Sequence, residues 1–170
     1  MEIVDIIDEQ NNVLYQATKE EAHQKGLLHR TVIAEVRDTQ GRMLLIRHAT
    51  HKQDAGKYVS PMGGHVKAGE SEEQALKREV REEIGLEENI YTFSLIGRAV
   101  YNRFVLGRQE NHLYVVYEIT TDRDLVLNEE SLDYRRFTED EVRQKLRDTP
   151  DIFGGAFHFV VKSFYPELLK

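Results

Sequence analysis

Three glutamates, Glu79, Glu82 and Glu83, recur at i, i+3 and i+4 within a stretch that reads as one helix, so their carboxylates gather on one flank. Like charges at those spacings repel by about 0.2–0.5 kcal/mol per pair on an exposed helix. A divalent cation removes that cost, and a hard ion such as Mg²⁺ takes oxygen ligands while keeping waters and sharing substrate phosphates. A solvated acidic face, with Arg78 and Glu82 as an ordinary i, i+4 pair, is the alternative that the helix alone leaves open. The preceding loop holds Gly63, Gly64 and Gly69, which permit tight turns and close backbone approach, and delivers Glu70 just before the helix.

The elements that must position these residues can be read from local signals. Ser71 with Gln74 forms a capping box, Glu72 and Glu73 suit the positive end of the helix dipole, and Gly85 is a stop, which predicts a helix of about 13 residues. Leu76, Val80 and Ile84 make its apolar stripe; Gln74, Lys77 and Arg81 face water; the glutamates lie on the flank beside Ala75. Upstream, Glu2–Ile7 and Val13–Gln16 read as a hairpin, and a short helix runs from an N-cap at Thr18 to a stop at Gly26. Arg30–Arg37 and Met43–Arg47 read as a second hairpin, and Ala49–Gly63 as a loop with at most short strands. Downstream follow strands Tyr91–Val105, bent near Gly97, and His112–Thr120, then a short strand at Tyr134–Phe137. A capping box at Thr138 and Glu141 opens a helix to Arg147, and Ala156–Leu169 is read as a final helix despite Pro166. Strand pairs mixed with single helices favour an α+β or sandwich arrangement over a regular parallel array. Tyr101, Tyr114 and Tyr117 read as core at strand spacing, with stacking on a base as the alternative.

No repeat or linker interrupts the 170 residues, so one domain over 1–170 is expected. A net charge of −7 argues against gripping a nucleic acid polymer but not against a small anionic substrate held by a local cationic patch or a metal. With no cysteine there is no disulfide and no thiolate ligand or nucleophile. No apolar run approaches the ~20 residues of a membrane span and no signal peptide is visible, so a cytoplasmic protein with no membrane attachment is expected.

Together the loop and helix resemble the Nudix box of the MutT-type hydrolases: Gly, five residues, Glu, seven residues, Arg-Glu, an aliphatic, any residue, Glu-Glu, any residue, Gly, an aliphatic. Gly64, Glu70, Arg78, Glu79, Val80, Glu82, Glu83, Gly85 and Leu86 occupy every fixed position across 64–86. The resemblance implies an α/β/α sandwich around a mixed β-sheet. It implies that Glu79, Glu82 and Glu83 bind Mg²⁺ or Mn²⁺ with the Gly64 carbonyl, and that Arg78 and Glu70 support them. The implied activity is hydrolysis of a diphosphate bond in a nucleoside diphosphate-linked or related small phosphorylated substrate. The base is left open among Glu82, Glu129 and Glu130, and a homodimer is left open beside a monomer.

Shorter motifs outside the box are similar to the isopentenyl-diphosphate isomerase branch: Glu21-Ala-His23, Leu28-His29-Arg30, Arg47 with Lys52, Gly64-His65 and Glu110-Asn-His112. In the isomerases three histidines and two glutamates hold a catalytic metal. The resemblance places His23, His29, His65 and Glu110 on four of those positions, with His112 where a second glutamate would stand. The set suits Zn²⁺ or Mn²⁺, although each histidine also reads as a surface residue or a helix-end hydrogen bonder. Isomerisation in that branch needs a cysteine before the Gly-His, where this chain has Gly63. Hydrolysis is therefore expected, with an isomerase-like enzyme and a non-catalytic nucleotide-sensing module as alternatives. Arg47 and Lys52, with His51 and Lys57, are the candidate cationic rim for the diphosphate.

Overall fold

A computed structural model describes all residues, Met1–Lys170. Nine strands form one mixed sheet: β1 (Ile3–Ile7), β2 (Val13–Thr18), β3 (His29–Arg37), β4 (Met43–His48), β5 (Tyr58–Val59), β6 (Met62–His65), β7 (Thr92–Val105), β8 (Arg108–Thr120) and β9 (Ser131–Phe137). Four α-helices accompany them: α1 (Lys19–Lys25), α2 (Glu72–Ile84), α3 (Glu139–Asp148) and α4 (Gly155–Phe164).

The central strand is β3, and its two edges are used differently. One edge pairs in parallel with β8 along its whole length, from His29 opposite His112 to Arg37 opposite Thr120. The other edge is shared in turn by three antiparallel partners: β1 at His29, β6 from Thr31 to Ala34, and β4 at Val36 and Arg37. The expected hairpin of β3 and β4 therefore exists only at its turn, and β4 peels away to pair with β9 and β5. This division brings the Gly63–His65 end of β6 beside the start of β3.

Side-chain alternation puts two cores on the two faces of the sheet. Val32, Ala34 and Val36 of β3 meet Leu76, Val80 and Ile84, the expected stripe of α2. Ile33, Met43, Leu45 and Val116 meet α3 and α4 through Val142, Leu146, Phe157 and Val160. Helices on both faces give the α/β/α sandwich that the box resemblance implied. Tyr114 and Tyr117 are buried in these cores, and Tyr101 stacks on Phe159 at 4.3 Å, so all three serve packing.

The bend expected near Gly97 is present as a register shift between Leu95 and Gly97. The final helix is also corrected. The helix read over Ala156–Leu169 ends at Phe164, and a 3₁₀ turn takes over Pro166–Leu169. Pro166 lacks an N–H and pushes the preceding residue out of the helical region, and Tyr165 sits at φ −130°, ψ 52°. No helix is long and apolar enough to cross a membrane.

Candidate active site

Local chemistry shapes the box as expected. The Ser71 hydroxyl accepts from the Gln74 N–H and the Gln74 side chain accepts from the Ser71 N–H, while Gly85 ends α2 at φ 69°. Arg78 then ties helix to loop. Its Nε and Nη2 donate to the two oxygens of Glu70 at 2.8 and 3.0 Å, Nη2 donates to the His65 carbonyl at 3.0 Å, and Nη1 donates to Glu79 at 2.6 Å. This fork of charge-assisted bonds holds Glu70 ionised below its ordinary range although burial opposes it.

The carboxylates that Arg78 supports differ in environment. Glu79 lies against the backbone of Gly64, where an added Cβ would overlap its carboxylate, so glycine is required for this close approach. Burial raises its pKa. Glu83 accepts from the Gly63 N–H at 3.1 Å and faces Glu130. Burial, then the Glu79 charge and the Glu130 hydrogen bond, push Glu83 up; Glu130 is held down, against its own burial, by that bond and by Lys52 at 3.3 Å. Facing carboxylates of this kind repel when both are ionised, and a nearby cation would relieve that repulsion. Glu82 sits at the rim with its side chain 55% exposed, reaching Arg78 at 3.5 Å.

Glu83, Glu130 and Lys52 line a cavity of about 370 Å³ whose floor is aliphatic, from Ile33, Ile46 and Val160. Of the expected rim, Lys52 and His51 line this cavity, whereas Arg47 is bound to Asp133 at 2.7 Å and, like Lys57, lies outside the lining. Arg103 and Arg108 line its far end and were not read from sequence. Arg103 stands opposite Glu110 across the β7–β8 hairpin, a register visible only once the turn at Leu106–Gly107 is placed. Glu129 is not part of the lining.

The structure also gathers His23, His29, His65 and His112, whose ligand nitrogens lie within 4.8 Å of one another. Burial lowers all four pKa values, that of His23 to about 4. Glu110 is beside them but turned away, with its oxygens accepting from Arg103 at 3.3 Å and Arg108 at 2.8 Å.

The NUDIX domain model matches residues 27–154. The chain belongs to the Nudix family. Among relatives of this Nudix protein, an uncharacterised Nudix hydrolase of Nostoc is 33% identical over 124 residues, covering 72% of this chain and 71% of its own. Isopentenyl-diphosphate Delta-isomerase 2 of Photorhabdus laumondii is 28% identical over 163 residues, covering 94% and 90%. A solved structure from Deinococcus radiodurans superposes with a TM-score of 0.77 at 22% identity, covering 96% of this chain and 99% of that one. The MutT protein of Methanosarcina mazei does so at 0.65 and 23%, covering 84% and 96%. These two likenesses concern the fold, and they agree with the mixed sheet and flanking helices of this Nudix chain.

Proposed function

We propose that this protein, acting as one hydrolase domain over residues 1–170, uses Mg²⁺ or Mn²⁺ to hydrolyse a diphosphate bond in a nucleoside diphosphate-linked or related small phosphorylated substrate. The observation that carries this reading is the close approach of Glu79 to the Gly64 backbone next to Glu83, which accepts from the Gly63 N–H and with Gly63 lines the cavity. The donor set fits the ion: hard carboxylate oxygens, a cradle that a Cβ would fill, and facing carboxylates whose repulsion a cation can relieve. Glu79, Glu83 and the Gly64 carbonyl would hold it, with Glu82 contributing from the rim. Bound there, the ion supplies charge neutralisation for the diphosphate and acidifies a water.

The chain's own residues do the rest. Arg78 fixes Glu79 and the loop through Glu70, so the carboxylates are in place before substrate arrives. Lys52 offers a positive charge at the cavity wall, and substrate phosphate competes with Glu130 for it. We assign the proton of the attacking water to Glu130 as base; its position in the cavity lining beside Lys52 supports this, whereas Glu129 is outside the lining and Glu82 lies exposed at the rim. A small diphosphate is the expected partner, in a monomer or a homodimer, and a cytoplasmic location suits such a substrate.

Several relatives carry isomerase names, which is the second reading. It lacks its proton carrier, because Gly63 occupies the position of the cysteine and no cysteine exists in the chain. The complete set of box glutamates likewise disfavours a sensor without turnover. The test is a phosphate-release screen over nucleotides, nucleotide sugars, coenzymes and isopentenyl diphosphate with Mg²⁺ or Mn²⁺, run beside Glu83→Gln. Turnover by the wild type and its loss in the variant are expected; no turnover, or an unimpaired variant, overturns the reading.

A further inference from the structure

The four histidines come from four separate elements: His23 from α1, His29 from the start of β3, His65 from the end of β6 and His112 from β8. Their contacts are not those of satisfied core histidines. The Nε2 atoms of His23 and His65 lie 3.2 and 3.3 Å from Nε2 of His112. The Nδ1 of His29 lies 2.8 Å from the Leu27 carbonyl, which only an N–H can satisfy, so His29 presents a bare lone pair at Nε2. That atom is fully buried and has no hydrogen-bond partner. An acceptor left so costs about 1–3 kcal/mol unless something electrophilic meets it.

The six distances between ring centres decide the geometry. They are 5.1, 5.3, 5.4, 5.2, 4.6 and 5.1 Å, close to equal for all pairs. Four points with six near-equal separations form a tetrahedron. With nitrogen about 2.1 Å from an ion and the ring centre about 1.1 Å beyond, a tetrahedral Zn²⁺ site places ring centres about 5.2 Å apart. In an octahedral or square-planar site any four ligands include an opposed pair with ring centres about 6.4 Å apart, so the spacing here favours a tetrahedral ion. The longest separation here is 5.4 Å.

We infer that His23, His29, His65 and His112 form a closed, tetrahedral Zn²⁺ site that is structural and separate from the box. This departs from the arrangement implied by the isomerase resemblance, in which glutamates join histidines around a catalytic ion. Glu110 is withdrawn by Arg103 and Arg108, and four imidazoles complete the coordination, leaving no position for water or substrate. The ion staples α1 to the sheet and fixes His65, whose neighbour Gly64 opens the box and whose carbonyl receives Arg78.

The inference does not depend on hydrolysis, and neither does its test. Metal content is measured for the wild type, His29→Ala, His112→Ala and Glu83→Gln after chelator dialysis, reloading with Zn²⁺ and buffer exchange. Wild type and Glu83→Gln retain one equivalent, and the histidine variants lose it. Co²⁺-loaded wild type shows the intense visible bands of a four-coordinate ion. Zn²⁺ raises its melting temperature by roughly 8–16 °C at a thousand-fold excess of free ion over Kd. A wild type that retains no Zn²⁺, histidine variants that keep it, a weak six-coordinate Co²⁺ spectrum or an unmoved melting temperature each overturn the inference. Should the variants fail to fold, the Co²⁺ spectrum and melting shift of the wild type decide alone.

Discussion

The Gly64→Ala substitution separates folding from function at the box. The new methyl would stand inside the Glu79 carboxylate, whose side chain supplies its three nearest atoms. Because the colliding atoms are the far end of a flexible side chain, Glu79 can swing aside, and stability should fall by no more than about 1 kcal/mol, below the usual cost of overpacking. Two things are lost when it swings: the 2.6 Å bond from Arg78 and the carboxylate's place beside Glu83. Displacing a ligand by about 1 Å costs about 100-fold in rate, or about 2.7 kcal/mol of transition-state stabilisation. Urea melts, Mn²⁺ titration and kcat/KM on the best substrate measure the three consequences. A variant that keeps wild-type Mn²⁺ affinity and activity within about three-fold would refute the reasoning.

Other substitutions probe the supports. Arg78→Gln leaves the half-buried Glu70 and Glu79 without their cation and should cost about 1–3 kcal/mol in chemical denaturation, while a loss under about 0.5 kcal/mol would show the fork to be ornamental. Leu76→Ala opens a hole beneath α2 and should lower stability by about 2–5 kcal/mol, or roughly 5–15 °C in a thermal melt, without changing the Mn²⁺ affinity of the folded protein. Glu35 is buried with one oxygen unpartnered, and burial raises its pKa from 4.5 to about 7. Between those values the unfolded chain ionises and the folded one does not, so this carboxyl's contribution is full below pH 4.5 and falls by about 3 kcal/mol as pH rises to 7. Glu35→Gln should therefore be more stable than wild type at pH 8 relative to pH 4, and equal pH dependence of the two urea midpoints would contradict the assignment.

What the sequence revealed tracks how local each signal is. The box helix could be read in full because its cap, stripe, flank and stop all lie within Ser71–Gly85 and interact with one another. The first hairpin and α1 were legible for the same reason. The parallel pairing of β3 with β8 was not, since its partners are separated by some eighty residues and nothing local encodes the register. Strand starts were missed where polar residues carry the ladder: β8 begins at Arg108 rather than at the apolar run, and β9 at Ser131. The histidines could be collected from motifs, but the withdrawal of Glu110 depends on Arg103 opposite it and on Arg108, which only the folded hairpin shows. Arg47 failed as a rim residue because Asp133 of β9, its direct cross-strand partner, takes its charge.

The central claim, that the box carboxylates direct water onto a phosphorus of a diphosphate, is tested most directly by following turnover in ¹⁸O-labelled water by ³¹P NMR. The account predicts one ¹⁸O in a phosphate product of the wild type, formed only with Mg²⁺ or Mn²⁺ present and lost in Glu83→Gln. Label in no phosphate product, or equal labelling without the divalent ion, would contradict it.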